Sequence, residues 1–203
     1  MARLDFEVER VARNLELKAA CDEDSLEHVH ARAMSLGAGT FTDVIQTDTY
    51  FLVSSGRLKL REIVPAEGGA SAELIAYRRA DEPGSRWSDY HLTSLSAESA
   101  VAVKQALSIT CGVSILVKKR RSIGVWRNTR IHLDVVEGIG SFVELETVVQ
   151  PGDGDEDVHG EHQHAILMLE LTGMPVVSGS YSDLAGAGAR SAPSINHEKG
   201  FPE

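Results

Sequence analysis

Four stretches of this 203-residue chain alternate charged and apolar residues at period two, and each puts its charges on a single face. They are Asn14-Leu-Glu16-Leu-Lys18, Arg57-Leu-Lys59-Leu-Arg61, Arg130-Ile-His132-Leu-Asp134 and Glu144-Leu-Glu146. In a strand, residues i, i+2 and i+4 point the same way, so each stretch is a polar stripe backed by Leu, Ile or Val. A solvent-facing antiparallel strand is served well by mixed polar residues and has no need of a nearly ionic face. With cations and carboxylates segregated onto different strands, the pattern fits a sheet that curls until its stripes share an interior. Such an interior is a charged cavity suited to an anion and a metal ion.

The bulk composition sharpens this reading. Thirty acids against twenty bases give a formal charge of −10, which argues against nucleic acid or an anionic membrane as a general partner. An acidic chain that gathers its bases onto a few strand faces has a local use for them. Two cysteines, Cys21 and Cys111, without a CxxC pair, fit a reducing cytoplasm and no structural zinc. Neither has a base nearby in sequence, which argues against a nucleophilic role. Met1 to Glu7 has no apolar signal core, so the expected location is cytoplasmic.

Along the chain, residues 1–12 read as a lead-in, 13–185 as one domain, and the Gly-, Ala-, Ser- and Pro-rich 186–203 as a flexible tail. Strands are expected at 13–20, 47–54, 57–64, 72–79, 87–92, 113–121, 125–136 and 141–149. Helices are expected from Cys21 to Leu36, with Asp22 or Asp24 as N-cap, from Ser96 to Leu107, and near 161–172 after a polar loop at 150–160. This is an α+β architecture, and its short connections favour antiparallel pairing. Closing it into a barrel gives the stripes their common interior.

If the stripes face inward, the interior holds Lys18, Arg57, Lys59, Arg61, Arg78, Lys119, Arg121 and Arg130 against Glu16, Asp134, Glu144 and Glu146. Buried unpaired charge is very costly, so the cations call for a polyanion such as a triphosphate. The carboxylates would repel that ligand unless they held a divalent ion. Glu16, Glu144 and Glu146 offer hard oxygen ligands for Mg²⁺ or Mn²⁺.

These residues carry a family resemblance. Asn14-Leu-Glu16-Leu-Lys18 resembles the N-terminal Glu-x-Glu-x-Lys signature of the CYTH superfamily, the triphosphate tunnel metalloenzymes. Gly56 to Glu62, Tyr77-Arg78-Arg79 and Val117 to Arg121 resemble the basic strands that follow. Arg130 to Glu146 is the longest match, and Ser180 to Leu184 resembles the closing segment. The resemblance implies an eight-stranded antiparallel tunnel that binds a triphosphate-containing small molecule along its axis with one or two divalent ions. Asn14 departs from the signature by removing one negative charge, and either Arg78 or Arg79 aligns with a basic position.

In those terms the eight cations hold the phosphate chain, and Glu16, Glu144 and Glu146 hold metal. Lys18 and Asp134 are the catalytic candidates, Asp134 as a further ligand or a water-orienting group. Phosphohydrolysis is the expected activity. The alternatives are ATP cyclisation with loss of pyrophosphate, a biosynthetic reaction on another organic di- or triphosphate, and a tunnel that binds nucleotide or polyphosphate without turnover. A homodimer is compatible with such a tunnel. His132 reads as a wall residue rather than a base, and Trp87 and Trp126 as packing residues. His159, His162 and His164 are too irregularly spaced for a metal site. Glu7 and Glu9 form a second Glu-x-Glu that reads as solvated lead-in.

Overall fold

Alternation is useful only when each face of a strand finds its own environment, and closing the sheet supplies both. The eight strands are β1 (Ala12–Cys21), β2 (Thr42–Phe51), β3 (Arg57–Pro65), β4 (Ser71–Arg79), β5 (Arg86–Ser96), β6 (Val113–Trp126), β7 (Thr129–Val136) and β8 (Gly140–Val148). All pair antiparallel and close in the order β1-β5-β4-β3-β2-β6-β7-β8. The computed structural model describes residues 12–80, 82 and 84–191, with backbone alone for 187–191. The expected α+β class and eight-stranded antiparallel barrel are both found.

The outward residues of the stripes supply the core. Leu17, Ile131, Leu133, Val143 and Leu145 leave the barrel on β1, β7 and β8 and are covered by helices α1 (Glu23–Ser35) and α3 (Asp155–Met168). Helix α1 starts where Asp22 Oδ1 accepts the Ser25 N–H at 2.9 Å, and it buries Leu26, Val29 and Ala33 at helical spacing. Helix α2 (Ala97–Thr110), capped by Ser96, lays Ala100 over Phe51, Leu60 and Ala72 on the opposite side. Helix α4 (Tyr181–Ser191) is started by Ser180 and Asp183. The Ser180 N–H donates to Asp183 Oδ2 at 2.7 Å, and the Asp183 N–H to Ser180 Oγ at 3.3 Å. That turn packs Tyr181 against Tyr50, Val117, Val136 and Phe142 inside the barrel.

Several boundaries differ from the sequence expectation. β2 begins at Thr42 rather than 47, because pairing with β3 and β6 on both sides overrides the poor strand propensity of Asp43 and Gln46. β6 runs through Trp126 and turns at Arg127, which has φ of 54°, so the next strand starts at Thr129. Helix α3 begins at Asp155, inside the stretch expected to be loop. Asp155, Glu156 and Asp157 sit in its first turn, where acids favour the helix dipole, and Asp157 Oδ2 accepts the Gly154 N–H at 3.0 Å. Helix α4 carries regular structure past Gly186 to Ser191, where composition alone suggested a tail. Glu7, Glu9 and the rest of the tail lie outside the described residues. Among those described, no helix is long and apolar enough to cross a membrane.

Candidate active site

Register turns the inward stripes into rows. Pairing of β1 with β8 sets Glu16 opposite Glu146 and Lys18 opposite Glu144; pairing of β7 with β8 sets Arg130 opposite Glu146 and His132 opposite Glu144. Two carboxylates facing each other across a ladder repel. Here each has a cation: Arg79 Nη1 donates to Glu16 Oε2 at 2.5 Å, and Arg130 Nη1 to Glu146 Oε2 at 3.3 Å. Glu144 takes Lys18 Nζ at 2.8 Å on one oxygen and Arg121 Nη2 at 2.7 Å on the other. Although burial alone would raise it, Lys18, His132 and Arg121 hold the Glu144 carboxyl well below the usual carboxylate range.

The facing wall is basic and is organised by a residue the sequence reading passed over. Asp48 on β2 is completely buried. Its Oδ2 accepts Lys119 Nζ at 3.0 Å, Lys59 Nζ at 3.1 Å and Arg61 Nη2 at 2.9 Å, while Oδ1 accepts Arg61 Nε at 2.7 Å. Three cations from β3 and β6 are thus racked on one carboxylate. Against the opposing effect of burial, Arg61, Lys119 and Lys59 keep the Asp48 carboxyl well below its ordinary range. Burial, with help from neighbouring guanidiniums, lowers Lys119 to about 7 and Lys59 to about 8 despite the pull of Asp48. The missed signal was the alternation Val44-x-Gln46-x-Asp48-x-Tyr50, whose inward face is too mixed in polarity to read as an ionic stripe.

Lys18, Lys59, Arg61, Lys119, Arg121, Arg130, Glu16, Glu144 and Glu146 all line one cavity, as expected. Three candidates sit elsewhere. Arg78 is on the outer face, with Nη2 3.3 Å from Ser55 Oγ, and Arg79 takes the inner position. Arg57 does not line that cavity; it is on the same face of β3 as Lys59, with Nη2 3.0 Å from Asp183 Oδ2. Asp134, expected at a metal or an attacking water, is wholly buried behind Arg121. It accepts Arg121 Nε at 2.6 Å and Nη2 at 2.5 Å, and the Tyr181 hydroxyl at 2.7 Å. Sequence reasoning also missed Arg86. Its guanidinium donates to the carbonyls of Val177 and Gly179, both at 3.2 Å, and so ties the strap before α4 to the barrel.

The donor set fits a divalent ion. His132, Glu144 and Glu146 each offer a ligand atom within 4.8 Å of the others. His132 Nδ1 stands 3.8 Å from Glu144 and 3.7 Å from Glu146 and has no hydrogen-bond partner among the described residues. The buried Asn14 Oδ1, two residues from Glu16 on the same face, likewise has none. Buried polar atoms are rarely left unpaired, and an oxygen beside carboxylates is what a hard cation requires. Asn14 therefore keeps a donor where the resemblance has a carboxylate.

The three histidines of α3 each serve the helix–barrel contact. His159 meets Trp87 edge-on at 5.3 Å between ring centres, His164 meets Trp126 at 5.5 Å, and His162 Nδ1 is 2.8 Å from Thr147 Oγ1. His162 is fully buried; burial first, then His159, lowers its imidazole from 6.5 to about 4. Between those values the unfolded chain binds the proton and the folded chain does not. Its contribution is therefore intact above pH 6.5 and is lost as pH falls toward 4, by roughly 3 kcal/mol. Urea unfolding at pH 7 and pH 4 should show this loss, and His162→Leu should remove most of it. An equal loss in that variant would assign the acid sensitivity to other groups. Cys21 is pushed up by burial to about 11, in keeping with an unreactive thiol.

The family model described as the CYTH domain matches residues 12–171, which spans all eight strands and α1 to α3. No curated protein matches significantly. Among solved structures, PH1012 from Pyrococcus horikoshii OT3 is similar with a TM-score of 0.67 at 22% identity, covering 84% of this chain and 98% of that one. HpAC1 from Hippeastrum, described as an adenylyl cyclase candidate with a dominant triphosphatase activity, gives 0.56 at 14% identity, covering 91% and 99%. A capping enzyme triphosphatase of Mimivirus gives 0.53 at 10%, covering 78% and 89%. At these identities the likeness is one of fold. With a closed barrel, a charge-lined interior and a family match over most of its length, the chain belongs to the CYTH family.

Proposed function

We propose that this chain is a divalent-metal-dependent phosphohydrolase that acts on a nucleoside or other organic triphosphate held in the barrel. The observation that carries the reading is the lining itself. Seven cations share the cavity with three carboxylates, and two of those, Glu16 and Glu146, stand opposite one another beside His132 and Glu144. Pure anion binding has no use for the carboxylates, and pure metal binding has none for the cations. The triphosphatase activities named for HpAC1 and the Mimivirus enzyme favour hydrolysis over cyclisation.

In this reading Lys59, Arg61, Lys119 and Arg121 grip phosphate oxygens on the basic wall, the guanidiniums in two-pronged fashion and the lysines as point charges. Arg79 and Arg130, each bonded to a carboxylate on the acidic wall, contact the same chain from the other side. Glu16, Glu144 and Glu146, with His132 alongside, would hold Mg²⁺ or Mn²⁺. When bound, the ion supplies charge neutralisation at phosphate and a more acidic water. Lys18, fixed between Glu144 and the Tyr181 ring at 4.1 Å from its centre, orients the attacking water. Asp134 acts as a positioning residue by fixing Arg121 and Tyr181.

The test is product identity with Mg²⁺ or Mn²⁺ across ATP, GTP, thiamine triphosphate and tripolyphosphate, read by mass spectrometry. Orthophosphate is expected. Cyclic nucleotide with pyrophosphate would replace hydrolysis by cyclisation, and tight metal-independent binding without product would make the barrel a binding module.

A further inference from the structure

All four tyrosines of the chain, Tyr50, Tyr77, Tyr90 and Tyr181, line the one cavity, and they divide into two kinds. Tyr50 and Tyr181 are buried in the apolar cluster at the foot of α4. Tyr77 on β4 and Tyr90 on β5 are only half-buried and stand directly opposite each other, next to the opposed pair Ile75 and Leu92. Leu92 lines the cavity and is still 41% exposed, which places this patch where the cavity meets solvent. Four adjacent inward residues on two strands therefore carry no charge, on a barrel whose β1, β3, β6, β7 and β8 linings are ionic or strongly polar.

A phosphate chain gains nothing from such a wall. A planar ring does, since aromatic faces stack on one another and on aliphatic side chains. The patch also adjoins the cations: Lys59 Nζ lies 5.6 Å and the Arg79 guanidinium carbon 5.9 Å from the Tyr77 ring centre. We propose that Tyr77, Tyr90, Ile75 and Leu92 form a platform for the planar aromatic head group of an organic triphosphate, so that the preferred substrate is of the nucleotide type and not inorganic tripolyphosphate. This rests on the phosphohydrolase reading above and adds the recognition of the head.

The experiment compares binding of β,γ-imido ATP, β,γ-imido GTP and tripolyphosphate by calorimetry, first without metal and then, for the imido analogues, with Mn²⁺. The probes run against wild type, Tyr90→Leu, Tyr90→Phe and Leu92→Ala. The expected result is at least tenfold tighter binding of the aromatic-headed ligands to wild type. That preference falls by about tenfold in Tyr90→Leu, which keeps bulk and loses the ring, falls less in Leu92→Ala, and persists in Tyr90→Phe. Equal affinity for tripolyphosphate in wild type, or Tyr90→Leu weakening all ligands alike, overturns the platform and leaves the triphosphate reading standing. Failure of every probe to bind under both conditions overturns that reading, and the platform with it.

Discussion

Asp48→Ala should destabilise the chain more than loss of any other single charge in the barrel, by about 3–5 kcal/mol at pH 7, the range for stranding a buried ion. The reason is geometric. Lys59, Arg61 and Lys119 have their charges within hydrogen-bond distance of this one carboxylate, and no other carboxylate among the described residues pairs with them. Two of the three can escape by losing a proton, because burial already lowers Lys119 to about 7 and Lys59 to about 8. Without Asp48 both values fall further, while the unfolded lysines keep theirs near 10.5. Over that interval the unfolded state binds more protons, so the variant should gain stability from pH 7 to pH 9 more steeply than wild type. A polyanion offers a second escape. Tripolyphosphate should raise the melting temperature of Asp48→Ala by more than that of wild type, since it replaces the missing charge. Thermal unfolding at two pH values, with and without tripolyphosphate, reads all three effects. A shift under 1 kcal/mol would mean the rack is not the electrostatic centre of the barrel.

Glu146→Gln should leave the fold nearly untouched and lower metal-dependent turnover by roughly 10²–10³-fold, the scale for removing one preorganised electrostatic element from an active site. Of the three proposed ligands, Glu146 gives the cleanest test. Glu144 is buried with two cations on it, and Glu16 is held by Arg79 at 2.5 Å, so replacing either strands a guanidinium or an ammonium. Among the described residues Glu146 is hydrogen-bonded by Arg130 at 3.3 Å, and the Arg130 side chain is 43% exposed and can turn to water. Its carboxyl lies below the usual range against the effect of burial, chiefly through His132, so the wild-type group is ionised at neutral pH. Mn²⁺ affinity measured by calorimetry should fall in parallel with turnover. Retained activity would sink the proposed ligand set.

Most of the barrel was legible because its strands obey the simplest pattern a sequence can carry. Leu15, Leu17, Ile131, Leu133, Val143 and Leu145 alternate with Glu16, Lys18, His132, Asp134, Glu144 and Glu146, and period two admits one assignment of faces. The parts that were not legible depend on what lies opposite. Nothing local distinguishes Arg78 from Arg79 until the register Arg79–Ser88 and Arg78–Asp89 fixes which points inward. Asp48 is an unremarkable polar residue until β3 and β6 bring three bases to it from elsewhere in the chain. Asp134 sits on a correctly read inward stripe, yet Arg121 and Tyr181 consume both of its oxygens. The start of helix α3, residues 155–160, was hidden because acids beside a histidine look like a solvated loop until Trp87 is seen against His159.

Because Glu16, Asp48, Glu144 and Glu146 each already hold a cation, the tunnel on the triphosphate reading works as a closed exchange resin. An anion that binds these cations swaps partners with the resident carboxylates. Each swap breaks one internal bond to form another, and a monoanion leaves neighbouring pairs no better off than before. The net gain appears only when several linked charges displace several carboxylates together. On the triphosphate reading, discrimination by length in favour of a chain over orthophosphate follows from how the cations are occupied at rest.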